Sequence, residues 1–256
     1  MNRHALFIHG TWLTPLIWSR FSRRFEACGY SCSAPAWPAL GADLLRQRNQ
    51  PPRAIAGLDI TAIRVHYERI IRDFEQPPLL IGHDLGGLLV QLLLDRGLGC
   101  AGIAIAPPCH GGLAGLRDSG PWLLQRAFWR GVLHMSPQRF ARTMAQTLTP
   151  EQQAVAYDRH IVPAPGRVFF ENALGVGSRI DFGNTERSPL LLIAAGADRS
   201  VRPEGVAATY RRHRCSTAVT AFKHFNGYSH WLIAEPGWET IADYCIEWAQ
   251  NQLGRF

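Results

Sequence analysis

Short apolar runs alternate with segments of helical spacing along most of the chain. Apolar runs at 5–8, 79–81, 101–106 and 190–195, and a more mixed run at 217–222, have the length and composition of buried strands. Between the runs, apolar residues recur every three or four positions. The clearest helical face carries Ile60, Ile63, Tyr67, Ile70, Ile71 and Phe74. This alternation predicts an α/β fold with a mostly parallel sheet and helices on both faces.

The alternation is interrupted between 107 and 187. This stretch favours helices instead, at 122–129, after Ser136-Pro137 and after Thr149-Pro150, where Ser or Thr precedes Pro as a helix N-terminus prefers. We therefore expect a core domain built from 1–106 and 188–256, with 107–187 inserted as a helical cap over one edge of the sheet.

Composition and charge exclude several classes of protein. The 256 residues are 46% hydrophobic and 18% charged, which is typical of a globular protein and not of a disordered one. The net charge is +7, but the basic residues are arginines scattered along the chain apart from Lys223, so no nucleic-acid partner is expected. With no secretory h-region and no run of eighteen apolar residues, we expect a cytoplasmic protein without a membrane partner.

The cysteine pattern gives no reason to expect a metal. The six cysteines form no CxxC pair and show no Cys/His ligand spacing, and nothing else in the sequence implies a cofactor. The oligomeric state is not indicated by the sequence.

A glycine-flanked aspartate is the strongest chemical signal. The segment 82–86 reads Gly-His-Asp-Leu-Gly between a predicted strand and a predicted helix, which is the nucleophile-elbow pattern with Asp84 where serine usually stands. Such a turn holds its central side chain above the sheet, close to the backbone N–H of Leu85. His83 is expected to pack within the elbow.

Three further polar segments follow predicted strands and are expected at the same edge of the sheet. Asp198 follows the strand at 190–195 and His230 follows the strand at 217–222, which gives the order nucleophile, acid, histidine. After the first strand, Gly10 precedes Thr11 and Trp12, one of whose backbone N–H groups would be the second oxyanion donor.

With these motifs in place, the chain resembles the α/β-hydrolase superfamily over nearly its whole length. Within it, the segments 34–38 and 229–232, together with Trp12, resemble a bacterial subgroup of small hydrolases that usually carry serine at the elbow. The resemblance implies an enzyme with the α/β-hydrolase fold and an Asp84, His230 and Asp198 triad.

Aspartate at the elbow changes the expected substrate. A carboxylate needs no activation, but its attack on an ester would give a poor anhydride intermediate, whereas attack on an sp3 carbon gives an alkyl ester that water activated by His230 can hydrolyse. Epoxides, haloalkanes and strained lactones on a small hydrophobic molecule are therefore the expected electrophiles.

Aspartate-nucleophile relatives support this chemistry in part. Haloalkane dehalogenases, epoxide hydrolases and β-lactone decarboxylases share the aspartate. However, Leu85 stands where dehalogenases commonly have tryptophan, and Tyr157 is the one cap tyrosine where epoxide hydrolases use two. Tyr157 and Trp231 complete the candidate substrate contacts.

Other interpretations remain open. Asp84 and His230 would serve as acid and base in a lyase, decarboxylase or cyclase, or the chain would be an inactive relative, or an engineered Ser-to-Asp variant of a serine esterase. Each residue also has a purely structural interpretation: Asp84 as a carboxylate at a helix N-terminus, Asp198 in an ion pair with Arg199, and His230 as a half-buried histidine.

Overall fold

A computed structural model describes residues 3–41, 43–109 and 131–254, and its centre is a six-stranded parallel sheet. The strand order is β2-β1-β3-β4-β7-β8, and every pairing is parallel. These strands are β1 (Arg3–Ile8), β2 (Tyr30–Ser33), β3 (Leu79–His83), β4 (Ala101–Ile105), β7 (Leu190–Ala195) and β8 (Thr220–Phe225). The predicted α/β-hydrolase fold with a parallel sheet is confirmed.

Helices cover both faces of this sheet. After the short 3-10 helix Pro15–Trp18, the α-helices in the core are Ser19–Glu26, Leu44–Asn49, Arg53–Ala56, Ile60–Arg72, Leu85–Leu94, Pro203–His213 and Trp238–Leu253. Side chains of one strand alternate between the faces: Ala5 and Phe7 pack with the first and last of these α-helices, and Leu6 and Ile8 with Ile60–Arg72 and Leu85–Leu94. Each fully buried Phe or Leu contributes about 1.5–3 kcal/mol to this packing.

The predicted bounds of the last strand are wrong for a local reason. The strand runs from Thr220 to Phe225 and not over 217–222, because the buried Arg187 guanidinium binds the carbonyls of Ala218 and Val219 just before it. The last helix begins at Trp238, after Gly237, whose φ of +87° ends the preceding turns.

The segment between β4 and β7 contributes mainly helices where it is described. These are Pro137–Thr143, capped by Ser136, then Pro150–His160, whose N-terminus has the expected capping box on Thr149, and Gly166–Leu174. A two-stranded antiparallel pair, β5 (Val132–Leu133) and β6 (Ala164–Pro165), brings together the residues that flank the first two of these helices. The predicted helix at 122–129 lies outside the described residues, and the division into core and cap stays a prediction.

The strand order reverses direction beside β1. The chain moves from β1 to β2 on one side and then returns to β3 on the other, so the carboxyl ends of β1 and β3 form the point where open α/β sheets bind ligands. In the part of the chain that the structure describes, no helix has both the length and the apolar character needed to cross a membrane.

Three buried histidines and the half-buried His160 make stability depend on pH. Burial lowers the pKa of His9 and His160 to about 4, that of His213 to about 3, and that of His83 well below its usual value. Below about pH 6.5 the unfolded chain protonates these rings first, so we expect the free energy of unfolding to fall by up to about 1.4 kcal/mol per pH unit for each histidine, down to about pH 4.

Urea unfolding at pH 7.5, 6 and 5 measures this loss. Burial raises the pKa of Glu171 and Glu235, whose carboxyls take up protons in the folded state first and offset part of the loss at the acid end. A variant of the exposed His134, His134→Gln, should keep the same slope. Equal stability at pH 7.5 and 5 would contradict the prediction.

Candidate active site

Asp84 lies at the strained turn between β3 and the helix Leu85–Leu94. Its φ of +52° and ψ of −125° are unusual for any L-residue and cost about 1–3 kcal/mol. The turn is held because the Asp84 N–H donates to the Ile105 carbonyl at 3.0 Å and its carbonyl accepts from the Gly87 N–H at 2.8 Å. The strain therefore presents the Asp84 side chain to the cleft, as the elbow pattern predicts.

Close backbone approach explains the glycines around this aspartate. A Cβ added to Gly86 would lie 2.1 Å from the carbonyl oxygen of Ile8, and one added to Gly10 would lie 2.6 Å from the Cβ of Asp84. The elbow can thus press against the end of β1 only where both positions lack a side chain. Gly10 contributes to the site through this space.

One oxygen of Asp84 is held by Thr11. The Thr11 N–H donates to Oδ2 at 2.8 Å, and the Thr11 hydroxyl donates to the same oxygen. We expected the Thr11 or Trp12 N–H to stabilise charge on a substrate. In the structure, the Thr11 N–H instead donates to the carboxylate of Asp84. A carboxylate is longer than a serine hydroxyl, so its second oxygen reaches the donors that the sequence assigned to an oxyanion.

Trp12 lines the cleft beside Thr11 and fixes this loop to the segment before β6. Its φ is +67°, its ring packs 5.3 Å from that of Phe169, and its carbonyl accepts from the Val162 N–H at 2.9 Å.

His230 and Asp198 come together as the sequence predicts. The imidazole Nδ1 of His230 lies 2.7 Å from Asp198 Oδ2, while Asp198 Oδ1 accepts from the N–H groups of Ser200 and Val201 at 2.7 and 2.8 Å. These contacts orient Asp198 to accept the Nδ1 proton, so that Nε2 is the basic nitrogen of a neutral ring. Nε2 lies 3.8 Å from Asp84 Oδ1, beyond hydrogen-bond distance.

His83 supports His230 from below and is not part of the cleft wall. Its Nε2–H donates to the His230 carbonyl at 2.9 Å, and the two ring centroids are 4.6 Å apart. Burial lowers the pKa of His83 well below its usual value, so the ring is neutral at pH 7. Its role here is to position His230.

His9 is a supporting residue that the sequence did not reveal. The Trp37 N–H donates to its Nε2 at 3.3 Å, which leaves Nδ1–H to donate to the Gly10 carbonyl at 3.0 Å. Its ring stacks on that of Trp37 at 4.9 Å, and burial lowers its pKa to about 4. A neutral His9 thus fixes the loop that carries Thr11.

The cleft above these residues has mixed walls. Leu85 is among them, as expected. The described lining residues are Thr11, Trp12, Asp84, Leu85, Pro108, Met135, Arg139, Thr143, Met144, Val168, Phe169, Asn172, Arg199, Ser200, Val201 and His230. Most of the upper wall comes from 135–172, where a helical pattern on its own does not reveal which side chains face the cleft.

Two candidate substrate contacts lie elsewhere. The Tyr157 hydroxyl donates to the Met135 carbonyl at 2.7 Å, so its proton is used within the fold. Trp231 is buried, with its ring 5.0 Å from that of Phe140 and 5.7 Å from that of His160. The structure does not bring either residue to the described cleft wall. Among the described residues, no three His, Cys, Asp or Glu side chains converge in a way that would hold a metal ion.

Solved structures with this fold cover nearly the whole chain. A histidine-to-alanine variant of tomato methylketone synthase I in complex with β-ketoheptanoate superposes with a TM-score of 0.74 and 12% identity, covering 98% of each chain. An Arabidopsis methylesterase gives 0.71 and 14%, covering 97% of this chain and 99% of its own. A monoacylglycerol lipase from Paleococcus ferrophilus gives 0.70 and 18%, covering 96% and 93%. None of the curated proteins matches the chain.

The sequence itself settles the family. Residues 5–242 match the model of the alpha/beta hydrolase family, a span that includes the elbow, the histidine, the acid and the loop after β1. The chain therefore belongs to the alpha/beta hydrolase family of enzymes.

Proposed function

We propose that the protein is a hydrolase whose Asp84 attacks an sp3 carbon bearing a leaving group. The observation that carries this proposal is the difference in hydrogen bonding between the two oxygens of the Asp84 carboxylate. Oδ2 accepts two hydrogen bonds from Thr11, whereas no described residue donates a hydrogen bond to Oδ1, which faces His230. An anchored oxygen and an available one are what nucleophilic attack by a carboxylate requires.

The first step forms an ester on Asp84. Oδ1 bonds to the substrate carbon, the bond from that carbon to its leaving group breaks, and the electron pair departs with the leaving group. Oδ2 becomes the ester carbonyl oxygen while it still accepts the Thr11 hydrogen bonds. The same donors then stabilise the negative charge that develops on Oδ2 when water attacks.

The second step restores the carboxylate. His230 removes a proton from water through Nε2, and the hydroxide adds to Cγ of Asp84. The tetrahedral intermediate expels an alkoxide, which takes the proton back from His230 and leaves as an alcohol. Asp198 stabilises the imidazolium that forms between these transfers.

The walls of the cleft suit a small molecule with an apolar body. Trp12, Leu85, Val168 and Phe169 surround the reacting oxygen with apolar surface. Asn172 also lines the cleft at 5% exposure, and its Oδ1, a hydrogen-bond acceptor, has no partner in the described ranges, so it suits a substrate group that donates a hydrogen bond. Epoxides, haloalkanes and strained lactones can each carry the apolar body that these walls fit.

Trapping of the ester tests the proposal. His230→Gln removes the base that activates water but leaves Asp84 and Thr11 in place, so the ester should accumulate. We expect intact-mass spectrometry of the variant, incubated with an epoxide, a bromoalkane and a β-lactone in separate reactions, to show a stoichiometric adduct that peptide mapping places on Asp84.

The double variant His230→Gln/Asp84→Asn is the matched control. It should form no adduct, because the amide is a poor nucleophile. An adduct of equal size in this control, or one mapped to a cysteine, would show that the label is adventitious. Absence of adducts with all three electrophiles, in a folded His230→Gln protein, would refute the nucleophilic role.

A second candidate function is decarboxylation of a β-keto acid, with Asp84 and His230 as acid and base. What favours it is the likeness to methylketone synthase I, of which a histidine-to-alanine variant was solved with β-ketoheptanoate bound. Formation of 2-hexanone and CO2 from β-ketoheptanoate by the wild-type protein, without any adduct in His230→Gln, would select this function over the first.

A further inference from the structure

Three arginines converge where the cleft opens to solvent. A shallow groove there, which we call the arginine mouth, is lined by Ser136, Gln138, Arg139, Arg142, Thr143 and Arg199. It shares Arg139, Thr143 and Arg199 with the cleft that contains Asp84, so the two spaces adjoin at these side chains. A molecule in the cleft can therefore contact Arg139 and Arg199.

The described part of the arginine mouth contains no carboxylate. None of its lining residues is acidic, and within the described ranges neither Arg142 nor Arg199 forms an ion pair. The adjacent Asp198 is fully engaged by His230, Ser200 and Val201. Arg142 and Arg199 therefore give this groove positive charge that no described carboxylate balances, and such a groove raises the local concentration of anions.

The cluster is assembled by specific contacts between distant segments. Arg139 and Arg142 lie on the helix Pro137–Thr143, and Arg199 on the loop after β7. Gln146, just beyond this helix, donates its amide to the Ala197 carbonyl, and Thr147 donates its hydroxyl to the buried Glu235. The Gln146 bond holds the end of the helix against the loop after β7, and the Thr147 bond holds it against the segment after His230.

Arg139 adds a half-buried positive charge to the arginine mouth. Arg139 is half-buried, and its burial lowers the pKa of the guanidinium, which nevertheless stays charged at neutral pH. A carboxylate or phosphate can accept two parallel hydrogen bonds from a guanidinium, and such charge-assisted pairs are the strong ones.

From this arrangement we propose that the arginine mouth binds an anionic group, carboxylate or phosphate, at the far end of the substrate while its apolar body lies in the cleft. The proposal extends the function proposed above, because it assigns the reacting carbon to an amphiphilic acid or phosphate ester. It also replaces our expectation of a neutral hydrophobic substrate. The cationic mouth would offset the repulsion between an anionic substrate and the Asp84 carboxylate.

Binding of unreactive probes tests this inference separately from catalysis. We expect isothermal titration of the wild-type protein with octanoate, octyl phosphate and 1-octanol to give at least about tenfold tighter binding for one of the two anions than for octanol, and the advantage should shrink as salt is raised. Whether octanoate or octyl phosphate binds more tightly identifies the anion.

Variants test whether the arginines cause the preference for an anionic probe over octanol. The double variant Arg142→Gln/Arg199→Gln should lose the preference for the anion while octanol binding is unchanged, and Arg211→Gln, on an exposed position of Pro203–His213, should keep it. Circular dichroism and thermal melting confirm that each variant folds.

Equal affinity of the wild-type protein for all three probes, or a preference that survives in the double variant, would overturn the inference. Adduct formation in His230→Gln is measured independently of these titrations. Anion binding without an adduct would leave the arginine mouth supported and the nucleophilic function refuted, and an adduct without anion preference would do the reverse.

Discussion

Replacing Asp84 by alanine should lower turnover of the alkyl electrophile by at least about 10³-fold, and replacing it by serine should lower it equally while creating ester hydrolysis. In the wild-type protein, the Thr11 N–H donates a hydrogen bond to Oδ2 of Asp84. Serine is shorter and uncharged, so it frees that donor for a substrate oxyanion and presents a hydroxyl that His230 can deprotonate.

Initial rates with p-nitrophenyl acetate and with whichever electrophile labels the His230→Gln variant measure both effects. Asp84→Ala is the matched control for Asp84→Ser, because both lack the carboxylate but only one has a nucleophile. Undiminished turnover of the electrophile by Asp84→Ala would remove Asp84 from the reaction. Equal ester hydrolysis by the alanine and serine variants would show that a serine at this position is not activated as a nucleophile.

Replacing Gly86 by alanine should destabilise the fold by more than about 4 kcal/mol, which is the range reached when a buried substitution leaves no room to relax. The new Cβ would lie 2.1 Å from the carbonyl oxygen of Ile8 and 2.9 Å from that of His9, both of them backbone atoms of the central sheet and its adjoining loop. Relief would require the helix Leu85–Leu94 to move away from β1.

Denaturant unfolding of the two alanine variants at Gly86 and Gly57 checks this expectation. Gly57 is exposed, has helical backbone angles, and would place its Cβ 3.7 Å from the nearest atom, so Gly57→Ala should change stability by less than about 1 kcal/mol. If Gly86→Ala unfolds at the same denaturant concentration as Gly57→Ala, the elbow is not as tightly packed as the structure indicates.

Much of the fold was predictable because the responsible signals are local. Apolar runs predict the strands, and the glycines around Asp84 predict a strand-to-helix turn. Asp198 and His230 were predictable for the same reason, since each follows a strand and parallel strands end at one edge.

The parts that could not be predicted depend on contacts between distant segments. Thr11 and Asp84 are 73 residues apart in sequence, and nothing in either segment shows that the Thr11 N–H donates to the aspartate. Tyr157 was a candidate substrate contact because of its hydroxyl, but that hydroxyl donates to the Met135 carbonyl. Arg199 suggested an ion pair with Asp198, yet that carboxylate is directed toward His230.

Thr11 follows β1 and Asp84 follows β3, and this arrangement has a consequence for folding kinetics. These strands are neighbours in the sheet, but they are separated in the chain by β2 and by every helix from Pro15–Trp18 to Ile60–Arg72. The chain entropy lost in closing so long a loop must be offset before Thr11 can reach Asp84. During refolding, catalytic competence therefore follows the β1–β3 docking event and cannot arise earlier from the elbow alone.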